Sequence, residues 1–439
     1  MSQEPRQSII SKYLSKGYGN RFLRARHFER ILAPRKMCPF CQPPRRMCGR
    51  RYCPLTIQYR ALAGLTKAGD PKEVVGNSPP SVFVGRYGYP KVFAGPMVPP
   101  VYGDTSTYDL PETWLGKSQE EILRLRSTLV YGRFRTNVAR PEAAGGRYDR
   151  LVELALSRNS PQAEMSLESN PRRAIKSSEE VVLFGPSAPL GKLSLGTQRT
   201  DFRLEKRYED TDLKASEALV ELYRDKVPVS GIQRAFSIGL YGLKKNRRMV
   251  PTRWSITAVD SILSLSLIEQ LKVCPWINEH QVYENRTYDN TYIVLLTPSN
   301  WSFEWLEAWF PNSFWNRWRS QPVIYADHEH YGRRTTYAAT GGCYYSTRLA
   351  VAEKLAEMRR QATAIVFREA HEGYLFPLGV WNVRENVRAA MRKAPLSFDA
   401  LSSALSHCLS RLTIPLNKWL HASSLLHGLL YQRRIQEYL

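Results

Sequence analysis

Four cysteines within sixteen residues constrain this chain more than any other feature. They are spaced Cys38-x2-Cys41-x6-Cys48-x4-Cys53, while Cys274, Cys343 and Cys408 stand alone. Four thiolates at such spacing suit a tetrahedral zinc ion, which takes soft sulfur ligands. Pro39 helps the first pair into a tight turn, and Gly49 frees the backbone of the second. Because all four positions are filled by sulfur, such a site is structural and closed to substrate. A cluster beside scattered single cysteines also argues for a reducing compartment rather than a disulfide framework. The cluster carries Arg45, Arg46, Arg50 and Arg51, so the expected zinc knuckle would shape a basic, polyanion-binding surface.

Charge extends that reading to the whole chain. The 63 basic and 40 acidic residues leave a net charge of +23, and a surplus of that size attracts nucleic acids. Residues 1–60 hold fourteen Lys or Arg against Glu4 and Glu29, about half of the excess. An apolar fraction of 43% supports a folded core and excludes a globally disordered chain. No stretch approaches the roughly 20 consecutive apolar residues that span a bilayer, and the first residues lack a secretory signal. The expected setting is therefore the cytoplasm, with no membrane partner.

Periodicity predicts a mixed body, α/β or α+β, with the sheet topology left open. Residues 9–32 suit a basic helix. Between 76 and 113 glycines and prolines alternate, which predicts short strands at Ser81–Val84 and Lys91–Phe93. Helices are expected over Glu120–Val130, Ser216–Lys226, Asp260–Leu271, Thr347–Gln361 and Val383–Met391. Strands are expected at Val181–Phe184, Tyr292–Leu296 and Ala364–Phe367. Residues 160–180 suit an exposed connection. Trp301, Trp305 and Trp309 recur every four residues, as a helical stripe facing the core would.

The last eight residues carry a second motif. Gln432, Ile435, Tyr438 and Leu439 follow the spacing of sliding-clamp-binding peptides, in which glutamine meets a polar pocket and the apolar residues fill a groove. Spacing alone equally suits a terminal helix packed on its own protein.

Five peptides carry a resemblance to a known family. They are Ser78-Pro79-Pro80-Ser81-Val82-Phe83-Val84-Gly85-Arg86-Tyr87-Gly88-Tyr89-Pro90, Gly95-Pro96-Met97-Val98-Pro99-Pro100, Val250-Pro251-Thr252-Arg253-Trp254-Ser255, Gly341-Gly342-Cys343-Tyr344-Tyr345-Ser346-Thr347-Arg348-Leu349-Ala350, and Pro377-Leu378-Gly379-Val380-Trp381 with Arg384-Glu385. Together they resemble the archaeal Nre DNA-repair family nearly end to end. The resemblance implies an archaeal cytosolic, nucleoid-associated protein of the DNA-damage response. It implies an N-terminal zinc region over 1–60, a body in two parts over 61–290 and 291–430, and a tail over 431–439. It also implies partnership with DNA, with the sliding clamp (PCNA) through that tail, and with other repair factors.

It implies no particular reaction, so the candidates come from the residues themselves. Asp327-His328-Glu329-His330 is dense in metal-capable groups, and Asp104, Asp260 and Glu369 are further carboxylates beside apolar or glycine-rich segments. Converging, they would hold Mg2+ or Mn2+ for a nuclease or a base-processing enzyme on damaged DNA. An RNA- or ribosome-associated binding protein is the third reading. Arg86 and Lys91 in the glycine-rich segment, with Lys244, Lys245, Arg247 and Arg248, are candidate phosphate contacts. Gly185-x5-Gly191-Lys192-Leu193 fails as a nucleotide loop, because it has one residue too many and no Ser or Thr after the lysine.

Overall fold

In a computed structural model, residues 60, 63, 70–172, 184–316, 319–374 and 376–431 are described. The cysteine cluster, its four arginines and the peptide from Gln432 to Leu439 lie outside the described residues. The body is mixed α/β, built on two six-stranded sheets.

The first sheet holds β1 (Glu73–Asn77), β2 (Val82–Val84), β3 (Lys91–Val98), β4 (Val130–Asn137), β5 (Gln162–Leu167) and β6 (Ser187–Leu195), in the order β1-β5-β6-β4-β3-β2. Its pairs are antiparallel except β4 with β6. Helix α1 (Gln119–Thr128) begins with a complete capping box, in which Ser118 and Glu121 each satisfy the other's backbone N–H. Helices α2 (Gly146–Leu156), α3 (Phe202–Glu209), α4 (Ala215–Arg224), α5 (Val229–Ser237) and α6 (Thr252–Leu271) follow. Alternate residues such as Val92, Ala94, Phe134 and Met165 turn inward and pack with Leu151, Leu219, Ile232 and Val259 of these helices.

Glycines let this sheet close up. A Cβ on Gly95 would stand 1.8 Å from the carbonyl oxygen of Gly132, and one on Gly76 would stand 2.1 Å from that of Pro99. Both glycines thus serve close backbone approach. At Gly132 an added Cβ meets only side chains, Met165 Sδ at 2.3 Å and Leu190 Cδ1 at 2.9 Å. Gly132→Ala is therefore expected to overpack the core and cost about 1–3 kcal/mol, read as a lower urea midpoint at unchanged slope.

The second sheet holds β7 (His280–Thr287), β8 (Asn290–Thr297), β9 (Ser302–Trp309), β10 (Val323–Glu329), β11 (Thr363–Ala370) and β12 (Leu396–Phe398), in the order β10-β9-β11-β8-β7-β12. Only β9 and β11 run parallel. Both faces are covered. Tyr292, Val294 and Leu296 of β8 pack toward α6, α7 (Gly342–Met358) and α8 (Val380–Met391). Ile293 and Leu295 pack toward α9 (Leu401–Arg411), α10 (Leu416–Ala422) and α11 (Leu425–Tyr431). Burial on both faces explains why this strand reads as an uninterrupted apolar run. Helix α6 joins the two halves: Val259 and Leu263 belong to the first core, Ile268 and Leu271 to the second.

Two expectations need correction. Trp301, Trp305 and Trp309 are buried, but they lie along β9 and just before it, not on a helix. A spacing of four is also a multiple of two, so a strand puts them on one face equally well. Residues 162–167, expected within an exposed connection, form β5, whose Ala163, Met165 and Leu167 turn inward while polar residues alternate with them.

Candidate functional site

The suspected catalytic carboxylates are engaged one by one, at separate places. Asp260 on α6 is fully buried. Its partners are the Arg384 guanidinium at 2.9 Å and the Gln233 side-chain amide at 2.9 Å. Burial pushes its carboxyl up to about 6, against the pull of Arg384. Arg384 in turn faces Glu385 at 3.3 Å and Glu112 at 3.8 Å. Arg388 bridges Glu385 and Glu353, and the Tyr223 hydroxyl donates to Glu353. The network ties α4, α5, α6, α7 and α8 together, and it does so inside the protein.

The segment Asp327 to His330 is extended, with Asp327 opposite Trp305, His328 opposite Glu304 and Glu329 opposite Phe303. Asp327 accepts two bonds from Arg334 at 2.7 Å, and Glu329 accepts from Arg348 at 2.6 Å, Trp301 Nε1 at 3.1 Å and the Tyr344 hydroxyl at 3.1 Å. The rings of His328 and His330 lie 5.1 Å apart. Glu369 is spent on the backbone N–H groups of Thr413 at 2.9 Å and Ile414 at 2.8 Å, where α9 turns into α10. Asp104 accepts the Ser106 N–H in an exposed turn. Among the described residues no three His, Cys, Asp or Glu side chains gather as a metal site.

The basic candidates behave differently, because the fold brings distant segments to one end of the first sheet. The Val138 N–H donates to Pro90, the Met249 N–H to Val138, and the Val84 N–H to the Thr252 hydroxyl. These bonds stitch the turn around Arg86 to the end of β4 and to the loop carrying Lys244, Lys245 and Arg248, all three of which are exposed. In the β3–β4 register Lys91 faces Asn137 and Phe93 faces Arg135, so they share the solvent side. The Arg133 guanidinium lies 4.9 Å from the Phe93 ring, and that of Arg86 lies 5.2 Å from Tyr87. Tyr87 is 65% exposed and Phe93 40%. Tyr89 leans on Trp254, ring centres 5.2 Å apart.

Arg247 departs from the expectation of a phosphate contact. Its guanidinium donates to the carbonyls of Gly242 at 2.8 Å, Tyr208 at 2.7 Å and Asp210 at 2.6 Å, and so it pins the loop. Phe93, Arg133 and Arg135 were missed from sequence. The alternation Arg133-Phe134-Arg135 before Gly-rich pairing partners was the available signal.

A second feature had no single-residue signal at all. Arg368 on β11 and Glu307 on β9 stand directly opposite each other in the parallel register, and they pair at 2.8 Å inside the protein. Three rings surround the Arg368 guanidinium: Trp309 at 4.8 Å, Tyr374 at 5.1 Å and Tyr292 at 5.5 Å. Burial works against its charge, but Tyr292 and Glu307 prevail and lift its pKa above the ordinary arginine value. The pair lines a small pocket together with Trp315, Tyr325, Thr340 and Cys343. Those residues come from the segment after β9, from β10 and from the start of α7.

Comparison with known proteins places this architecture. The family model described as archaeal Nre, N-terminal, matches residues 47–316, and that described as archaeal Nre, C-terminal, matches residues 329–438. The chain belongs to the archaeal Nre family. Among its relatives is DNA repair protein NreB of Archaeoglobus fulgidus, 41% identical over 87% of this chain and 95% of that one. DNA repair protein NreA of the same organism is 35% identical over 82% and 90%. NreA of Haloferax volcanii is 32% identical over 83% and 88%. No solved structure matches this Nre chain. The basic-aromatic end lies within the first match region, while the ion-pair network and the pocket draw residues from both.

Proposed function

We propose that this Nre protein serves in DNA repair as a DNA-binding factor that docks on the sliding clamp. The observation that carries the reading is the meeting of Arg86, Lys91, Arg133 and Arg135 with exposed Tyr87 and Phe93 at one end of the first sheet. Cations contact phosphates, and exposed rings stack on unpaired bases. Lys244, Lys245 and Arg248 extend the charge, and the arginine-rich segment with Arg45, Arg46, Arg50 and Arg51 adds more. The relatives' names supply the repair context.

Cys38, Cys41, Cys48 and Cys53 would hold structural zinc and order the basic N-terminal region. Gln432, Ile435, Tyr438 and Leu439 would enter the clamp groove, with Leu439 standing where a second aromatic is commoner, which weakens the contact. An accessory role is favoured over catalysis because each suspected catalytic carboxylate already has a structural partner.

The test is binding and turnover measured together, with labelled single-stranded, duplex and forked DNA and structured RNA, with and without Mg2+ or Mn2+ and the cognate clamp. The expected result is salt-sensitive DNA binding without turnover, strengthened by the clamp and no longer strengthened after Tyr438→Ala. Cleavage or base release would make this an enzyme, and preference for structured RNA at matched salt would move it to RNA. In the same preparations Cys38→Ser should lower bound zinc below one ion per chain; unchanged zinc and melting would sink the knuckle.

A further inference from the structure

We propose that a single strand of DNA crosses the open face of the first sheet, over β3, β4 and β6, with a base stacked on Phe93 and Lys192 as a further phosphate contact. This deepens the surface reading above and rests on it. The argument starts from alternation along the strands. Val92 and Ala94 of β3 and Phe134 of β4 turn into the helix-covered core. Lys91 and Phe93, with Arg133 and Arg135, therefore turn the other way. Strand β6 joins the same face, because Arg133 is the parallel partner of Pro189 while Ala188 and Leu190 turn inward. After the bulge at Ser166/Leu167, Lys192 stands outward, opposite Ser166 of β5.

One end of this face is closed. Met97, Leu129 and Tyr131 form a small cluster there with Phe83, Tyr108 and Phe184. Beyond it Lys91, Phe93, Arg135 and Lys192 are exposed, and Arg133 is half-buried. Among the described residues none of the four cations, Lys91, Arg133, Arg135 and Lys192, is ion-paired, and the buried Nε of Arg133 meets no acceptor. Elsewhere in this half Arg124, Arg147, Arg150 and Arg203 each face a carboxylate. Unpaired cations gathered around an exposed ring suit a ligand that carries both phosphates and π-faces.

The ring selects a single strand. In a duplex the π-faces of the bases are covered by their stacked neighbours, so a ring set in a sheet face meets a free base only in an unpaired strand. Strands β3 and β6 are two spacings apart in the sheet order, about 10 Å, which is the rise of about three stacked nucleotides. The other side of the face sets a limit. Glu164 of β5 and Glu73 of β1 are exposed there, Glu73 accepting from the Ser166 hydroxyl at 2.8 Å. Carboxylates repel phosphates, so the strand runs from β6 toward Tyr87 in the β2–β3 turn and not onto β5.

The test compares two charge reversals of equal size in the full-length protein. Lys192→Glu lies on the proposed path. Lys206→Glu alters an equally solvent-facing lysine of α3, among the helices that pack on the other side of the sheet. Each protein is titrated with a labelled oligothymidylate and with a duplex of the same length, at several salt concentrations.

The expected result is tighter binding of the single strand, weakened about tenfold or more in Lys192→Glu as for one lost charged contact. In that variant the dependence of log K on log salt should flatten by about 0.7 for the phosphate no longer neutralised. Lys206→Glu should stay within about twofold of wild type, because salt screens a charge that far from the path. Both variants should melt as the wild type does, since each is a surface change. Equal losses in the two variants, or wild-type affinity in Lys192→Glu, would overturn the path over β6 and leave the surface around Phe93 standing. Duplex bound as tightly as the single strand would overturn the choice of an unpaired strand. A wild-type protein that binds neither probe would remove the surface reading itself, and this path with it.

Discussion

Arg384→Met is expected to destabilise the protein by about 3–5 kcal/mol, the usual cost of removing one partner from a buried ion pair. The guanidinium is fully buried and is the 2.9 Å partner of Asp260, itself fully buried. Its loss strands Asp260 on α6, the helix shared by both cores, and leaves Glu112 without the cation that holds its carboxyl below the usual range despite burial. The pH dependence follows from the sign of the shift. Burial has raised Asp260 from 3.8 to about 6, so its own contribution to stability is full below 3.8 and is lost as pH rises through 6. Without Arg384 that carboxyl rises further. The difference between variant and wild type should therefore be largest above pH 7 and shrink below about 6. Urea unfolding at pH 5 and pH 8 reads both quantities. A double replacement, Asp260→Leu with Arg384→Met, should recover much of the loss, because well-packed apolar residues often match a buried pair. A double variant as unstable as the single one would mean that Arg384 acts mainly through Glu112 and Glu385.

How much of this was legible in the sequence depended on whether a feature is local. The apolar run Tyr292–Leu296 announces a strand buried on both faces, and it is β8. The Thr347–Gln361 helix is real but begins five residues early, at Gly342, because the glycines read as loop. Gln162 to Leu167 escaped notice, since its polar alternate residues and flanking charges hide a short strand with one wet face. The tryptophans after Asn300 gave burial correctly and periodicity wrongly, for the arithmetic reason that four is twice two.

Functional features divide in the same way. Charge clusters such as Lys244 to Arg248 are visible as composition, but Arg247 and its neighbours look identical in sequence. Only three carbonyls converging on one guanidinium separate the anchor from the exposed cations around it. Phe93 and Arg135 become one surface through a strand pairing that spans a helix and several turns. Glu307 and Arg368 are 61 residues apart and meet only because β9 and β11 run parallel. No window of sequence contains that pair, whereas the cysteine spacing and the terminal Gln-x2-Ile-x2-Tyr-Leu pattern are complete within one.

The largest functional effect is expected from Tyr87→Ala combined with Phe93→Ala. Each ring, if it stacks on a base, contributes about 1–3 kcal/mol to single-strand binding, roughly fivefold to 150-fold. The combined loss should therefore exceed tenfold at the low end. Both rings are exposed, and such surface changes alter stability by about 0.5 kcal/mol or less, so the variant should melt as the wild type does. Lys91→Ala combined with Arg135→Ala should weaken binding by another route. It should flatten the dependence of log K on log salt by about 0.7 for each single-strand phosphate that the protein no longer neutralises. The aromatic pair should leave that slope unchanged. Duplex DNA makes the contrast sharper, because its bases are already stacked and offer these rings nothing. The aromatic variant should bind duplex nearly normally, while the cationic variant loses affinity for both forms. If the aromatic variant instead weakens both forms equally, the rings serve only to prop Arg86 and Arg133, whose guanidinium groups lie against them. The surface would then be a phosphate reader and nothing more.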